Sequence, residues 1–209
     1  MNSVEKLEIL KTRKNELDVT DLKNEFPIRK ICSEMALIYT ELEQYDNAKD
    51  QWLEALLLMG NTDDSLEIMH SLATTYHLLA IQTNDISHNE SGKRWNLDAM
   101  EYCKSMKPDD HPDIGKYTSN VAYSYEICGE SDVTLELLLE VLAFYKRFLP
   151  IDHSDTDTTL LKIASLYNKN GDFDKEQEML NQRIFPLKKY PSNSEFYKEQ
   201  EDKNTFLTT

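Results

Sequence analysis

Glycine is scarce in this sequence of 209 residues: Gly60, Gly92, Gly115, Gly129 and Gly171 are the only five, and no two stand within ten residues of each other. Neither a G-x-G dinucleotide loop nor a Walker-type phosphate loop can be written with that spacing. Positive charge is scarce too, with 23 Lys and Arg against 38 Asp and Glu and a formal charge of −15. A surface that tracks nucleic-acid phosphates, or an anionic membrane, is excluded on that balance. Long apolar runs are missing: stretches such as Ala55-Leu56-Leu57-Leu58-Met59 fall far short of the roughly 20 residues that span a bilayer. The opening Met1-Asn2-Ser3-Val4-Glu5-Lys6 carries no apolar signal segment, and a cytoplasmic location is expected. Cys32, Cys103 and Cys128 are odd in number and widely spaced, which suits reduced core thiols better than a disulfide framework. The sequon Asn89-Glu90-Ser91 reads as a polar loop. At 40% hydrophobic and 29% charged residues the chain can bury a core, so wholesale disorder is excluded.

What is present is a repeat. The segment from His111-Pro112-Asp113 through Val121-Ala122-Tyr123-Ser124-Tyr125 returns as His153-Ser154-Asp155 through Ile163-Ala164-Ser165-Leu166-Tyr167, at an offset of 42 that Gly129 and Gly171 share. Two weaker copies lie upstream, at Met35-Ala36-Leu37-Ile38-Tyr39 and Leu72-Ala73-Thr74-Thr75-Tyr76. The Ala-to-Ala intervals are 37 from Ala36 to Ala73, 49 to Ala122 and 42 to Ala164. The polar stretch Gln82–Gly92 reads as an enlarged turn that accounts for the longest of these. Apolar spacings of three and four give each copy two amphipathic helices, the first built on Ile28, Ile31, Met35 and Ile38 and then on Ala48, Trp52 and Ala55. Such units leave apolar surface uncovered until neighbours stack on them. Helices are predicted near 4–24, 28–42, 46–59, 64–80, 93–106, 112–128, 131–149, 155–170 and 174–188, with a last one near 193–206. Pro27, Pro112 and Asp155 mark first turns, and Gly129 and Gly171 mark stops.

These residues resemble the tetratricopeptide repeat, in the roughly 42-residue variety of kinesin light chains. The first copy carries Met35, Ala36, Tyr39, Tyr45, Ala48, Trp52, Ala55 and Leu56; the later two carry the linkers Pro108-Asp109-Asp110-His111-Pro112-Asp113 and Leu149-Pro150-Ile151-Asp152-His153-Ser154-Asp155. The resemblance implies an all-α, right-handed solenoid of helix hairpins, with HEAT-like arrays as the structural alternative. It organises the chain as a flanking helix over 1–25, four helix pairs over 26–190 with the enlarged turn at 81–92, and an acidic cap or tail over 191–209. Glu176 and Arg183 stand where the repeat expects small alanines, so the fourth pair is expected to pack loosely or end the stack.

No catalytic constellation is legible, and no cofactor or metal is expected. His70 and His77 lie seven apart on one helix face, but zinc needs three or four ligands at closer spacing, and both read as groove or surface histidines. Asp109-Asp110-His111 and Asp152-His153 recur at one place in the repeat, which favours helix capping over ligation. In the resembled family the first helix of each pair lines the concave face. That carry-over makes Lys30 and Leu37, His70 and His77, Lys116, Asn120 and Tyr123, and Leu161, Asn168 and Lys169 the candidate partner-binding residues. Asn120 matches an asparagine that in the family often bonds a ligand backbone, but Glu34, Ser71 and Lys162 hold the equivalent places. The expected function is a non-enzymatic module that binds a partner protein, peptide or helix. The alternatives are a self-assembling adaptor docking through its terminal repeat or through Phe196, Tyr197 and Phe206, and an acidic chaperone for basic proteins.

Overall fold

The computed structural model describes residues 2–18, 20–58 and 63–183. Among these the chain is all-helical: α1 (Ser3–Asn15), a 3-10 turn (Leu22–Asn24), α2 (Glu25–Glu41), α3 (Tyr45–Leu57), α4 (Asp63–Thr83), α5 (Ser87–Met106), α6 (Pro112–Ile127), α7 (Ser131–Phe148), α8 (Ser154–Lys169) and α9 (Phe173–Asn181). It divides into two compact units, residues 1–134 and 135–209.

In the first unit the core is layered. Leu7 and Leu10 of α1 pack with Ile31, Met35, Ile38 and Tyr39 of α2 and with Ala48 of α3. The opposite side of α2, with Ile28, Cys32 and Ala36, packs with Trp52 and Ala55 of α3 and with Ile68 and Leu72 of α4. A third cluster joins Leu66 of α4, Ala99 and Cys103 of α5 and Tyr117 of α6. Alanines with no exposed surface let helix axes approach while Trp52 and Tyr39 fill the gaps beside them. In the second unit Arg183, just beyond α9, donates to Asp157 of α8 from Nε and Nη2 at 2.7 and 2.9 Å, and Asn168 donates to Glu176 at 2.8 Å. Where alanines were expected, α8 and α9 are thus joined by a charged fork.

Among the described residues, four three-residue turns join the helices within the pairs, and each holds one left-handed residue: Glu43 (φ 57°), Asn84 (φ 55°), Gly129 (φ 81°) and Gly171 (φ 77°). At Gly129 the amide donates to the Glu126 carbonyl and that of Glu130 to the Tyr125 carbonyl; Gly171 and Asp172 repeat this on Asn168 and Tyr167. Glu43 and Gln44 close the first turn on Thr40 and Tyr39 in the same way, although Glu43 has no glycine's freedom.

Three expectations are corrected. The enlarged turn at 81–92 does not exist: α4 runs to Thr83 and α5 begins at Ser87, so the long second interval is extra helix. The Asn89 sequon is accordingly the first turn of α5 rather than a loop. The helix expected over 4–24 stops at Asn15, because Asp18 turns back to accept from the Thr20 amide and hydroxyl at 2.8 and 2.7 Å and diverts the backbone from the helix. The end of the 174–188 helix, the 193–206 helix, Phe196, Tyr197 and Phe206 lie outside the described residues.

Candidate functional site

The first helices of the pairs, α2, α4 and α6, share one side of the first unit. Between α2 and α4 runs a groove of about 420 Å³, lined by Phe26, Arg29, Lys30, Ser33 and Leu37 on one wall and Asp64, Glu67, Ile68 and Ser71 on the other, with Trp52 of α3 beneath. Phe26 and Leu37 are 61% and 55% exposed, which is costly for large apolar side chains in water. Arg29 stacks on the Phe26 ring at 4.8 Å and reaches Asp64 at 3.3 Å. Lys30 and Glu67, by contrast, have no ion-pair partner among the described residues, so opposite charges stand open on the two walls.

Beyond this groove the candidate residues separate. His70 is half-buried and donates from Nδ1 to Asn96 at 3.2 Å. His77 is not the exposed inner residue expected: it is 5% exposed, with Nδ1 3.1 Å from Asn89 Oδ1 and Nε2 3.0 Å from Ser124 Oγ. Its burial follows from Gly92, since a Cβ on that glycine would lie 2.7 Å from the imidazole and 2.8 Å from the Ala73 carbonyl. Tyr123 is half exposed, and its ring stands nearly perpendicular to that of His77 with centres 6.2 Å apart. Lys116 is exposed with its ammonium 5.3 Å from the Tyr117 ring centre. Asn120 is only partly exposed, and its amide nitrogen is shielded and without a hydrogen-bond partner, so that donor does not face solvent. In the second unit Leu161, Asn168 and Lys169 are exposed on α8, with Asn168 already engaged by Glu176.

Sequence reasoning missed three parts of this arrangement: Phe26 and Arg29 at the groove's mouth, the Asn89–His77–Ser124–Asn96 chain, and the tight approach at Gly92. The order serine, histidine, amide resembles a hydrolase triad, but Ser124 has no exposed surface and cannot meet a substrate. A separate cluster places Glu90, Cys128 and Glu130 within 4.8 Å of one another. The Lys93 ammonium already sits among them, 2.9 Å from Glu90 and 2.7 Å from Glu130, and so holds its own pKa up and that of Glu90 down. Burial raises the Cys128 thiol, which disfavours the thiolate a metal needs. Cys32 and Cys103 are buried, as expected of core thiols, and Cys128 half so. The repeated His-x-Asp segments are caps: His111 and His153 each accept on Nδ1 from the amide two residues on, at 3.2 Å.

No family model and no curated protein matches the sequence. Solved structures do match its shape. A kinesin-light-chain protein of Podosopora anserina with nearly identical TPR-like repeats aligns over 86% of this chain and 84% of its own, at 20% identity and a TM-score of 0.68. BtubC from P. vanneervenii aligns over 86% and 68%, at 17% identity and 0.64. YrrB, described as a TPR protein with an unusual peptide-binding site, aligns over 86% and 77%, at 16% identity and 0.53. The fold is that of tetratricopeptide-type repeats, an all-α solenoid.

Proposed function

We propose that the chain is a non-enzymatic interaction module that takes a short segment of a partner protein along the α2–α4–α6 face, the concave face of the repeat. The observation that carries this reading is the α2–α4 groove, where Leu37 and Phe26 stand exposed between an open Lys30 and an open Glu67. An apolar side chain of the partner would cover Leu37 and Phe26, and most of the affinity would come from there. An acidic group toward Lys30 and a basic one toward Glu67 would set direction and register. Tyr123, Lys116 and His70 extend the same face toward α6; Leu161, Asn168 and Lys169 are proposed as the corresponding positions of the second unit. YrrB's peptide-binding site supports the choice of a peptide. The charge of −15 supports a protein rather than nucleic acid or an anionic membrane, and no described helix is long and apolar enough to cross a membrane. Three free cysteines support a cytoplasmic setting.

Selection of 12-residue peptides displayed against the purified chain tests the reading. Enriched peptides should share an apolar anchor with acidic and basic flanks, and should lose at least tenfold in affinity for Leu37→Asp while that variant keeps its helical content. Enrichment indifferent to Leu37→Asp and to Lys30→Glu would overturn the groove as the site.

A further inference from the structure

Three helices meet at His77, and the hydrogen bonds there run in a single direction. Asn89 Oδ1 can only accept, so His77 Nδ1 carries the hydrogen that points at it. Nε2 is then a lone pair and accepts from the Ser124 hydroxyl at 3.0 Å. The Ser124 oxygen in turn accepts from Asn96 Nδ2 at 2.7 Å, while Asn96 Oδ1 accepts from His70. With the His77 ring neutral in its Nδ1–H form, each of these groups has a partner of the right kind. Asn89 and Asn96 belong to α5 and Ser124 to α6, so this one imidazole of α4 ties its own helix to both neighbours.

We infer that His77 is a proton-operated latch: neutral, it clamps α5 and α6 to α4, and its protonation in mildly acidic solution releases that clamp beneath Tyr123. A second ring hydrogen on Nε2 would need the remaining lone pair of the Ser124 oxygen, which already receives the Asn96 amide, and the serine hydrogen would lose Nε2 as its acceptor and have to turn away. The new charge would also lie on a ring that is 5% exposed and closely backed by Gly92. What faces the imidazole offers no countercharge. From α4 the ionisable neighbour is His70, itself a base; α5 presents Asn89 and Gly92; α6 presents Ser124 and the ring of Tyr123. Burial first, and the neighbouring His70 in addition, hold the His77 pKa below its ordinary value against the opposing effect of Asn89.

The direction of the pH effect follows. An unfolded chain takes up this proton near pH 6.5, whereas the folded chain resists it. The unfolded state therefore binds more protons just below that pH, and stability is lost as the solution is acidified from about pH 6.5. Above that range the contribution is complete. The latch does not depend on the groove reading, because it concerns how the face is held together and not what binds there.

The test uses the full chain. Side-chain nitrogen NMR at pH 7.5 should find His77 neutral with its hydrogen on Nδ1. Between pH 7 and 5.5 the unfolding constant, from urea titrations, should rise by up to about tenfold per pH unit through this one group, and His77→Gln, which cannot titrate, should remove that share of the dependence. Amides of α4, α5 and α6 should gain exchange over the same range, after correction for intrinsic rates, while those of α8 do not. An Nε2–H tautomer, an unchanged pH dependence in His77→Gln, or no local gain in exchange would overturn the latch. The tautomer and exchange measurements need no substitution, so the result stands even if His77→Gln does not fold.

Discussion

The α2/α3 and α4/α5 hairpins share a backbone plan and close by different chemistry. The first is largely dry: Ile28, Cys32 and Ala36 meet Trp52 and Ala55, and the contact is one of shape apart from the Lys14–Glu54 pair acting on the Cys32 thiol. The second is wired: Gly92 brings α5 against α4, and His77 and Asn96, both buried, spend their polar atoms on each other's neighbours and on Ser124. A dry contact tolerates a change of volume by relaxing, at a cost graded with the cavity left behind. A wired one has few acceptable arrangements, and its failure is a stranded donor or acceptor. One repeat architecture can thus hold a permanent joint and a conditional joint side by side.

Substitutions that unequally damage the two joints test this contrast. The largest loss is expected for Trp52→Ala, which empties the centre of the dry joint and should cost ~3–5 kcal/mol, read by urea denaturation from the remaining Trp95. Gly92→Ala should cost ~1–3 kcal/mol, because the Ala73 carbonyl is backbone and cannot step aside. Combining it with His77→Ala should cost less than the sum, since the two share one space; strict additivity would mean that the imidazole and the glycine do not constrain each other. Ser124→Ala should cost ~1–2 kcal/mol by stranding His77 Nε2 and one Asn96 donor, while NMR should still find the His77 hydrogen on Nδ1, held there by Asn89. The smallest effects belong to the turns, where Gly129→Ala should lose ~1 kcal/mol with nothing nearby to clash, and Glu43→Gly should gain ~0.5 kcal/mol by relieving a left-handed glutamate. Thermal midpoints moving the same way in both would sink the idea that these positions are governed by backbone conformation.

Most of the helices could be read from sequence because their apolar positions recur at three and four and their stops fall on Gly129 and Gly171. The caps were legible for a different reason: His111 and His153 keep the 42-residue offset, and a position kept in two copies points to a shared local job. His77 was misplaced because periodicity assigns a face by spacing within one helix. Its burial is decided by Gly92, 15 residues on, and by Ser124, 47 residues on, neither of which leaves a mark near His77. Phe26 escaped because it precedes the apolar stripe of α2, in its first turn, and Arg29 because it falls between Ile28 and Ile31 of that stripe and not on it. The extra helix in the second pair was mistaken for a turn because Asn84, Asp85 and Ser87 are turn residues in isolation, while Asn89 and Gly92 gain their helical place from the partner helix.

Punctuated by its left-handed residues, the chain keeps a steadier metre than its side chains suggest. Glu43 to Asn84 is 41 residues, Asn84 to Gly129 is 45, and Gly129 to Gly171 is 42, against 37, 49 and 42 between the alanines. The beat is carried by a backbone conformation that Glu, Asn and Gly all spell, so a comparison of letters loses it after two bars while a comparison of shapes hears all four.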